Sequence, residues 1–264
     1  MSVFIELEKF YSRFSGDKGI IGFSAFNKPI RYFKVEKTGF PVVIVQCAMH
    51  AREYVTTYLA IEQIKWFNRY GKKGTVYFIP LVNPDGVEIV EKVNRLYKAN
   101  GNGVDLNVNF DARWGTGESN VFVKGEKNYV GEFAFSEPES RALKDFTLFV
   151  KPDATVSYHS KGEEIYWRFF QEEFLSRDYY LARALGDVTG YALKETPNSA
   201  GGYKDWCIEK LKIPAFTIEV GDDKLVHPIG KERTAEIFAK NKGVIKTLIK
   251  GLSKINGKIY EKRN

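Results

Sequence analysis

The sequence predicts an α/β fold in which a buried sheet is covered by helices on both faces. Three observations predict it. First, four short runs are apolar enough to be core strands: Val42–Cys47, Thr75–Val82, Asp153–Tyr158 and Pro214–Val220. Second, amphipathic segments of helical length alternate with them. Third, the 264 residues show neither a repeat nor a clear interdomain linker, and this length suits one domain over residues 1–264.

Taken in order, Val3–Phe14 places Phe4, Leu7, Phe10, Tyr11 and Phe14 close to helical spacing. Ile20–Val35 reads as a hairpin region with its turn at Asn27-Lys28-Pro29. The first core strand leads into Tyr54–Tyr70, a helix that Gly71 ends, with Trp66 and Phe67 set to close it on the sheet. After the second core strand, Asn83-Pro84-Asp85-Gly86 is a strong turn signal. Residues 98–135 are glycine-rich, polar and aromatic, and a loop of that length in a compact domain points to function. Ser136 reads as the N-cap of a helix reaching Phe149, with Glu137, Pro138 and Glu139 in its first turn. A third core strand ends at His159. Ser176–Gly190 forms a further helix, the fourth core strand carries Glu219 near its end, and Glu232–Leu252 closes the chain with a break near Gly243.

Apolar residues make up 44% and aromatics 15%, which marks a folded globular protein. The net charge of +7 favours anionic partners, yet 33 acidic residues are interleaved with the basic ones. The basic run from Lys240 to Arg263 alternates with apolar residues as a solvated helix face does, so no nucleic-acid partner is expected. Cys47 and Cys207 are the only cysteines, one in a core strand and one beside Trp206, which argues against a disulfide framework. The start, MSVFIELEKFYSRF, is charged too early and too often for a signal peptide, and no run nears the ~18 apolar residues of a membrane span. A cytoplasmic location is therefore expected. The oligomeric state is not legible.

The chemistry gathers where the first core strand ends. His50 and Glu53 stand three residues apart, so on one helical turn they face the same way and can offer two ligands to one zinc ion. Only three histidines occur, His50, His159 and His227, and His159 also closes a strand-like run. The third, within DDKLVHPIG, is read as structural on a rim loop.

An ordered set of segments carries a resemblance: HARE at 50–53, NPDG at 83–86, NRLYK at 94–98, GVDLNVNF at 103–110, FSEP at 135–138, SYHS at 157–160, GGYKDW at 201–206 and FTIEVGD at 216–222. The chain resembles the zinc metallocarboxypeptidase family. More narrowly, it resembles the bacterial branch with γ-D-glutamyl-L-diamino acid endopeptidases, which act on the stem peptides of cell-wall peptidoglycan. The resemblance implies a three-layer α/β/α fold around a mixed, mainly parallel eight-stranded sheet. It also implies one zinc per chain on His50, Glu53 and His159, with Glu219 as the catalytic carboxylate. Two imidazoles and a carboxylate leave the metal net positive with an open position, which suits hydrolysis.

Departures from the family pattern set further expectations. Where the family places an oxyanion-binding arginine, this chain has Lys98, and Arg95 is the alternative donor. The Asn-Arg pair that grips a free terminal carboxylate is here Asn107-Val108, and valine can neither donate a hydrogen bond nor neutralise charge. Lys204, just before Asp205, falls at the position that sets side-chain preference and favours an anionic group such as the distal carboxylate of meso-diaminopimelate. Pro197 stands where digestive relatives carry a capping tyrosine, for which Tyr203 is the expected substitute. Asp111, Arg113 and Trp114 are expected to line the cleft, with Arg113 next in line after Lys204 to read an anion. The expected function is thus hydrolysis of the γ-D-glutamyl–diamino acid bond of a muropeptide. The alternatives are a carboxypeptidase or amidase on ordinary peptides, and an inactive peptide-binding module.

Overall fold

The computed structural model describes residues 2–261; residues 262–264, the end of the C-terminal basic run, lie outside the described residues. Eight strands form one sheet: β1 (Lys18–Phe23), β2 (Pro29–Glu36), β3 (Val42–Cys47), β4 (Thr75–Ile79), β5 (Ala154–His159), β6 (Glu164–Tyr166), β7 (Ala192–Lys194) and β8 (Ala215–Glu219). Their order is β1-β2-β4-β3-β5-β8-β6-β7. The central four, β4-β3-β5-β8, run parallel, and antiparallel pairs flank them. This is the mixed, mainly parallel eight-stranded α/β/α sheet that the resemblance implied.

Alternation along the central strands explains the layers. Val43, Val45 and Cys47 point to one face, where α2 (Val55–Tyr70), α5 (Leu175–Thr189), α7 (Thr234–Asn241) and α8 (Val244–Glu261) cover them through Leu59, Ile64, Leu181 and Leu248. Ile44 and Ile79 point to the other face, against α4 (Pro138–Val150), α6 (Tyr203–Leu211) and the long loop, through Leu143, Tyr203, Trp206 and Phe110. Both faces are therefore buried, which is why the strands read as continuous apolar runs. An N-terminal helix, α1 (Val3–Arg13), packs on the first face through Val3 and Leu7. The break expected near Gly243 falls between α7 and α8.

Several expectations are corrected. Asn83-Pro84-Asp85-Gly86 begins a helix, α3 (Pro84–Lys92): Asn83 Oδ1 accepts from Gly86 N at 2.9 Å and Pro84 takes the first turn. Asn-Pro-Asp-Gly serves a turn and a helix start through the same side-chain cap, so the local signal is shared. Glu137, one residue later than expected, is the N-cap position of α4. The segment holding Tyr203 is the first turn of α6 rather than a loop. Three-residue strands β6 and β7, not foreseen, complete one edge. Cys47 and Cys207 are both free and buried. No helix among the described residues is long and apolar enough to cross a membrane.

Candidate active site

The site lies at the carboxyl ends of β3, β5 and β8. After Cys47 the chain turns through Ala48, whose N–H donates to Thr56 Oγ1 at 2.9 Å, while that hydroxyl donates to Glu53 O at 2.8 Å. These bonds fix a 3₁₀ turn, Ala51–Glu53, with extended His50 before it. The His50–Glu53 pair thus sits on a 3₁₀ turn ahead of α2, not on the helix's own first turn. His159 is the last residue of β5, and parallel register pairs it with Glu219 of β8. Adjacent residues in register project to the same side of a sheet, so the second carboxylate is delivered beside the second imidazole.

Three donors converge. His50 Nδ1 lies 3.0 Å from Glu53 Oε1 and 3.1 Å from His159 Nδ1, and His159 Nδ1 lies 3.0 Å from Glu53 Oε2. All three residues are buried. Two imidazole nitrogens and a carboxylate brought this close offer the mixed N and O donor set that can hold one metal ion. On the far side of His50, Nε2 meets Asp105 Oδ1 at 3.2 Å. That carboxylate fixes the tautomer that turns the Nδ1 lone pair towards the cluster. Burial favours protonation of Asp105, but Lys98 and His50 outweigh it and hold the carboxyl below its usual range. Lys98 Nζ reaches Asp105 Oδ2 at 2.6 Å. Glu219 goes the other way: desolvation, with the Glu53 charge added, raises its pKa to about 8.

Comparison with known proteins places this constellation. The sequence matches the zinc carboxypeptidase family, Peptidase_M14, over residues 17–239. The chain belongs to that family. Together with the His/Glu/His triad, membership gives it the catalytic architecture of a zinc metallopeptidase. It is 29% identical over 247 residues to γ-D-glutamyl-L-diamino acid endopeptidase 1 of Lysinibacillus sphaericus, covering 80% of this chain and 62% of that protein. It is 26% identical over 246 residues to bovine carboxypeptidase B, covering 78% and 58%. The chain thus spans about three fifths of the length of these curated relatives. Among solved structures, bovine thrombin-activatable fibrinolysis inhibitor superposes with a TM-score of 0.84 at 22% identity, covering 96% of this chain and 97% of that one. Murein-tripeptide amidase MpaA of Escherichia coli O157 gives 0.61 at 22%, covering 89% and 90%. At such identities the likeness shows the fold.

Within this zinc carboxypeptidase scaffold, a cavity of about 490 Å³ is lined by His50, Lys98, Asp105, Asn107, Val108 and Pro197, among others. A smaller one, about 190 Å³, is lined by Asn107, Lys204, Asp205, Tyr166, Thr217 and Glu219. Of the two candidate oxyanion donors, Lys98 lines the cavity, whereas Arg95 is exposed and outside its lining. Lys204 is 6% exposed and ion-paired with Asp205, and its Nζ also donates to Arg168 O at 3.1 Å. Tyr203 does not cap the cleft: it is fully buried, packs on Phe110, and its hydroxyl lies 2.9 Å from Thr147 Oγ1. Arg113 lies against the Phe170 ring, 3.3 Å from its centroid, and lines a neighbouring cavity with Pro197. Trp114 braces the loop, its Nε1 donating to Val130 O at 3.1 Å, and Asp111 is exposed near Lys210.

Asp105 and Arg52 were not singled out from sequence. Arg52 also lines the larger cavity. The available signal for Asp105 was a lone acid in the run Gly103–Phe110, between residues with no charge. Charge flanked by apolar and amide side chains needs a partner.

Proposed function

We propose that this chain hydrolyses peptide bonds with zinc held by His50, Glu53 and His159 and with Glu219 as proton carrier. The observation that carries this reading is the register pairing of His159 with Glu219, which sets a carboxylate outside the donor triad beside it. The donor set fits zinc: two imidazole nitrogens and a carboxylate converge, and Asp105 orients one ring from behind. Zinc at such a set supplies Lewis acidity, polarising a carbonyl and acidifying water. Glu219 takes the proton from the attacking water and returns it to the leaving amine. Desolvation raises the pKa of Glu219, which strengthens it as a base, while an ion on Glu53 would offset the neighbouring charge and keep the carboxylate ionised to accept the proton. Lys98, fixed by Asp105 at the cavity wall, donates to the developing oxyanion, as a point charge without the guanidinium fork. Glu219→Gln is expected to keep zinc and lose roughly 10²–10⁴-fold in kcat, whereas His159→Ala loses both metal and activity. Full activity in Glu219→Gln would sink the proton-carrier role.

A narrower reading of the substrate is favoured by two of the same residues. Val108 provides no clamp for a free terminal carboxylate, and Lys204 lines the small cavity it shares with Glu219, where a substrate carboxylate would share the lysine with its ion-pair partner Asp205. A leaving residue with an acidic side chain, in a substrate that continues beyond it, meets both conditions. The γ-D-glutamyl–diaminopimelate bond is such a substrate, and the Lysinibacillus sphaericus relative is named for a γ-D-glutamyl–L-diamino acid linkage. The discriminating measurement is kcat/KM on γ-D-glutamyl peptides in which diaminopimelate or lysine is followed by further residues, beside an α-linked peptide with a free C-terminal residue. Wild type is expected to prefer diaminopimelate by about ten- to a hundred-fold, and Lys204→Ala to lose most of that preference. Faster cleavage of the α-linked peptide with no diaminopimelate preference would leave an ordinary metallocarboxypeptidase.

A further inference from the structure

The pole of the sheet opposite the metal ligands carries a feature that hydrolysis does not use. A slot of about 350 Å³ lies between the end of α2 and α8, lined by Phe67, Gly71 and Ile249 and by five lysines, Lys72, Lys73, Lys246, Lys250 and Lys254. Lys246, Lys250 and Lys254 recur every four residues on α8 and so share one helix face. All five are exposed, and none has an ion-pair partner among the described residues. The charge is set by sequence on both sides. No acidic residue occurs between Glu62 and Asp85 or between Glu236 and Glu261, stretches that hold four and six basic residues respectively.

The floor of the slot is hydrocarbon. Gly71 lets the chain pass close against Phe67 at its edge: a Cβ there would stand 3.0 Å from the Phe67 ring and 2.5 Å from Phe67 O. Beside it Tyr70 is 50% exposed. Gly71–Gly74 immediately precedes the first residue of β4, whereas the metal ligands follow β3 and end β5, which run parallel to β4 through β3. The slot and the zinc site therefore occupy opposite ends of the molecule.

We propose that this pole docks on an anionic phospholipid bilayer, with the lysines on lipid phosphates and the slot taking the apolar boundary beneath them. Clustered lysines around a helix match the negative surface potential of such a membrane. A bare polyanion satisfies the lysines but leaves the half-exposed Tyr70 and the lysine stems that wall the slot against water, whereas a lipid interface accommodates both, tyrosine at headgroup level included. Docking this way turns the metal centre away from the bilayer, where a peptide substrate can reach it.

The test is co-sedimentation of the full chain with vesicles of phosphatidylcholine, alone or with roughly a third phosphatidylglycerol, at about 0.1 M salt, where charges act over ~10 Å. Binding is expected only with phosphatidylglycerol, and is expected to fall as salt rises to about 1 M. At roughly five-fold per lysine, the triple variant Lys72→Glu, Lys250→Glu, Lys254→Glu is expected to lose at least a hundred-fold, with zinc content and circular dichroism unchanged. Should the triple variant misfold, Lys250→Glu against Lys250→Arg serves instead: the glutamate weakens vesicle binding and the arginine preserves it. No binding to phosphatidylglycerol vesicles, or equal binding by wild type and charge-reversed protein, overturns the proposal. So does binding to soluble polyphosphate as tight as to vesicles, because the apolar slot would then contribute nothing.

Discussion

Glu219 shows how one side chain's environment links stability to chemistry. Desolvation and the neighbouring Glu53 charge raise its pKa from 4.5 to about 8. In metal-free protein the folded state therefore holds a proton that the unfolded chain releases. The stabilisation from that proton is fully present below about pH 4.5 and is lost as pH rises towards 8. Glutamine cannot ionise and keeps its neutral form throughout. The melting temperature of metal-free wild type should thus fall relative to that of Glu219→Gln between pH 5 and pH 8, then run parallel above it. Differential scanning fluorimetry in chelator measures this, and parallel curves across the whole range would show that Glu219 is not desolvated in solution. Zinc beside Glu53 opposes the effect by offsetting the carboxylate charge.

At the scale of an element, the long loop from residue 98 to residue 135 is tied by two buried amides, Asn100 near its start and Asn109 farther along. Asn109 Nδ2 donates to Val130 O at 2.8 Å, Ser136 Oγ at 3.0 Å and Phe133 O at 3.2 Å, and its Oδ1 accepts from Ser140 Oγ at 2.6 Å. The loop carries Asp105, Asn107 and Val108 into the cavity, so its order is a condition of the site. Asn109→Ala strands buried carbonyl and hydroxyl groups and should cost about 2–3 kcal/mol, read from urea unfolding. Limited proteolysis should cut that variant first within the loop. An unchanged midpoint would mean that the loop is held by Asn100 and by its apolar contacts, Phe110 and Trp114 among them.

For the whole molecule, the donor triad ties the end of β3, the turn after it and the end of β5, so a bound ion links the centre of the sheet to the connection that follows. Binding to the folded state alone stabilises by mass action, about 4 kcal/mol at a thousand-fold excess over Kd, or on the order of 10 °C for a chain of this size. Zinc should raise the melting temperature by that order in wild type and leave His159→Ala unmoved. A shift that persists in His159→Ala would place the stabilising ion elsewhere.

The sequence by itself determined the four central strands and the helices α2, α4 and α5, and it offered His50 and Glu53 as a ligand pair. A strand buried on both faces must be apolar throughout, an amphipathic helix must repeat near every 3.6 residues, and metal ligands belong to few residue types. His50, Glu53 and His159 are of those types, whereas the full set, with Glu219 as the catalytic carboxylate, is what the family resemblance implied. Only the tertiary structure decided the rest. Strands β6 and β7 have three residues each and are held by pairing, β6 on β8 and β7 on β6, so no local period marks them. Tyr203 follows two glycines as a loop residue would, but α6 carries it into the core against Phe110 and Thr147. Lys98 and Arg95 differ by one helical turn in sequence, and only the cavity wall and Asp105 separate their placements. The basic face of α8 reads as solvated from its own residues. Its apolar slot exists only because Phe67 and Gly71, at the end of α2, meet Ile249 across the fold, a contact between distant segments that no local pattern encodes.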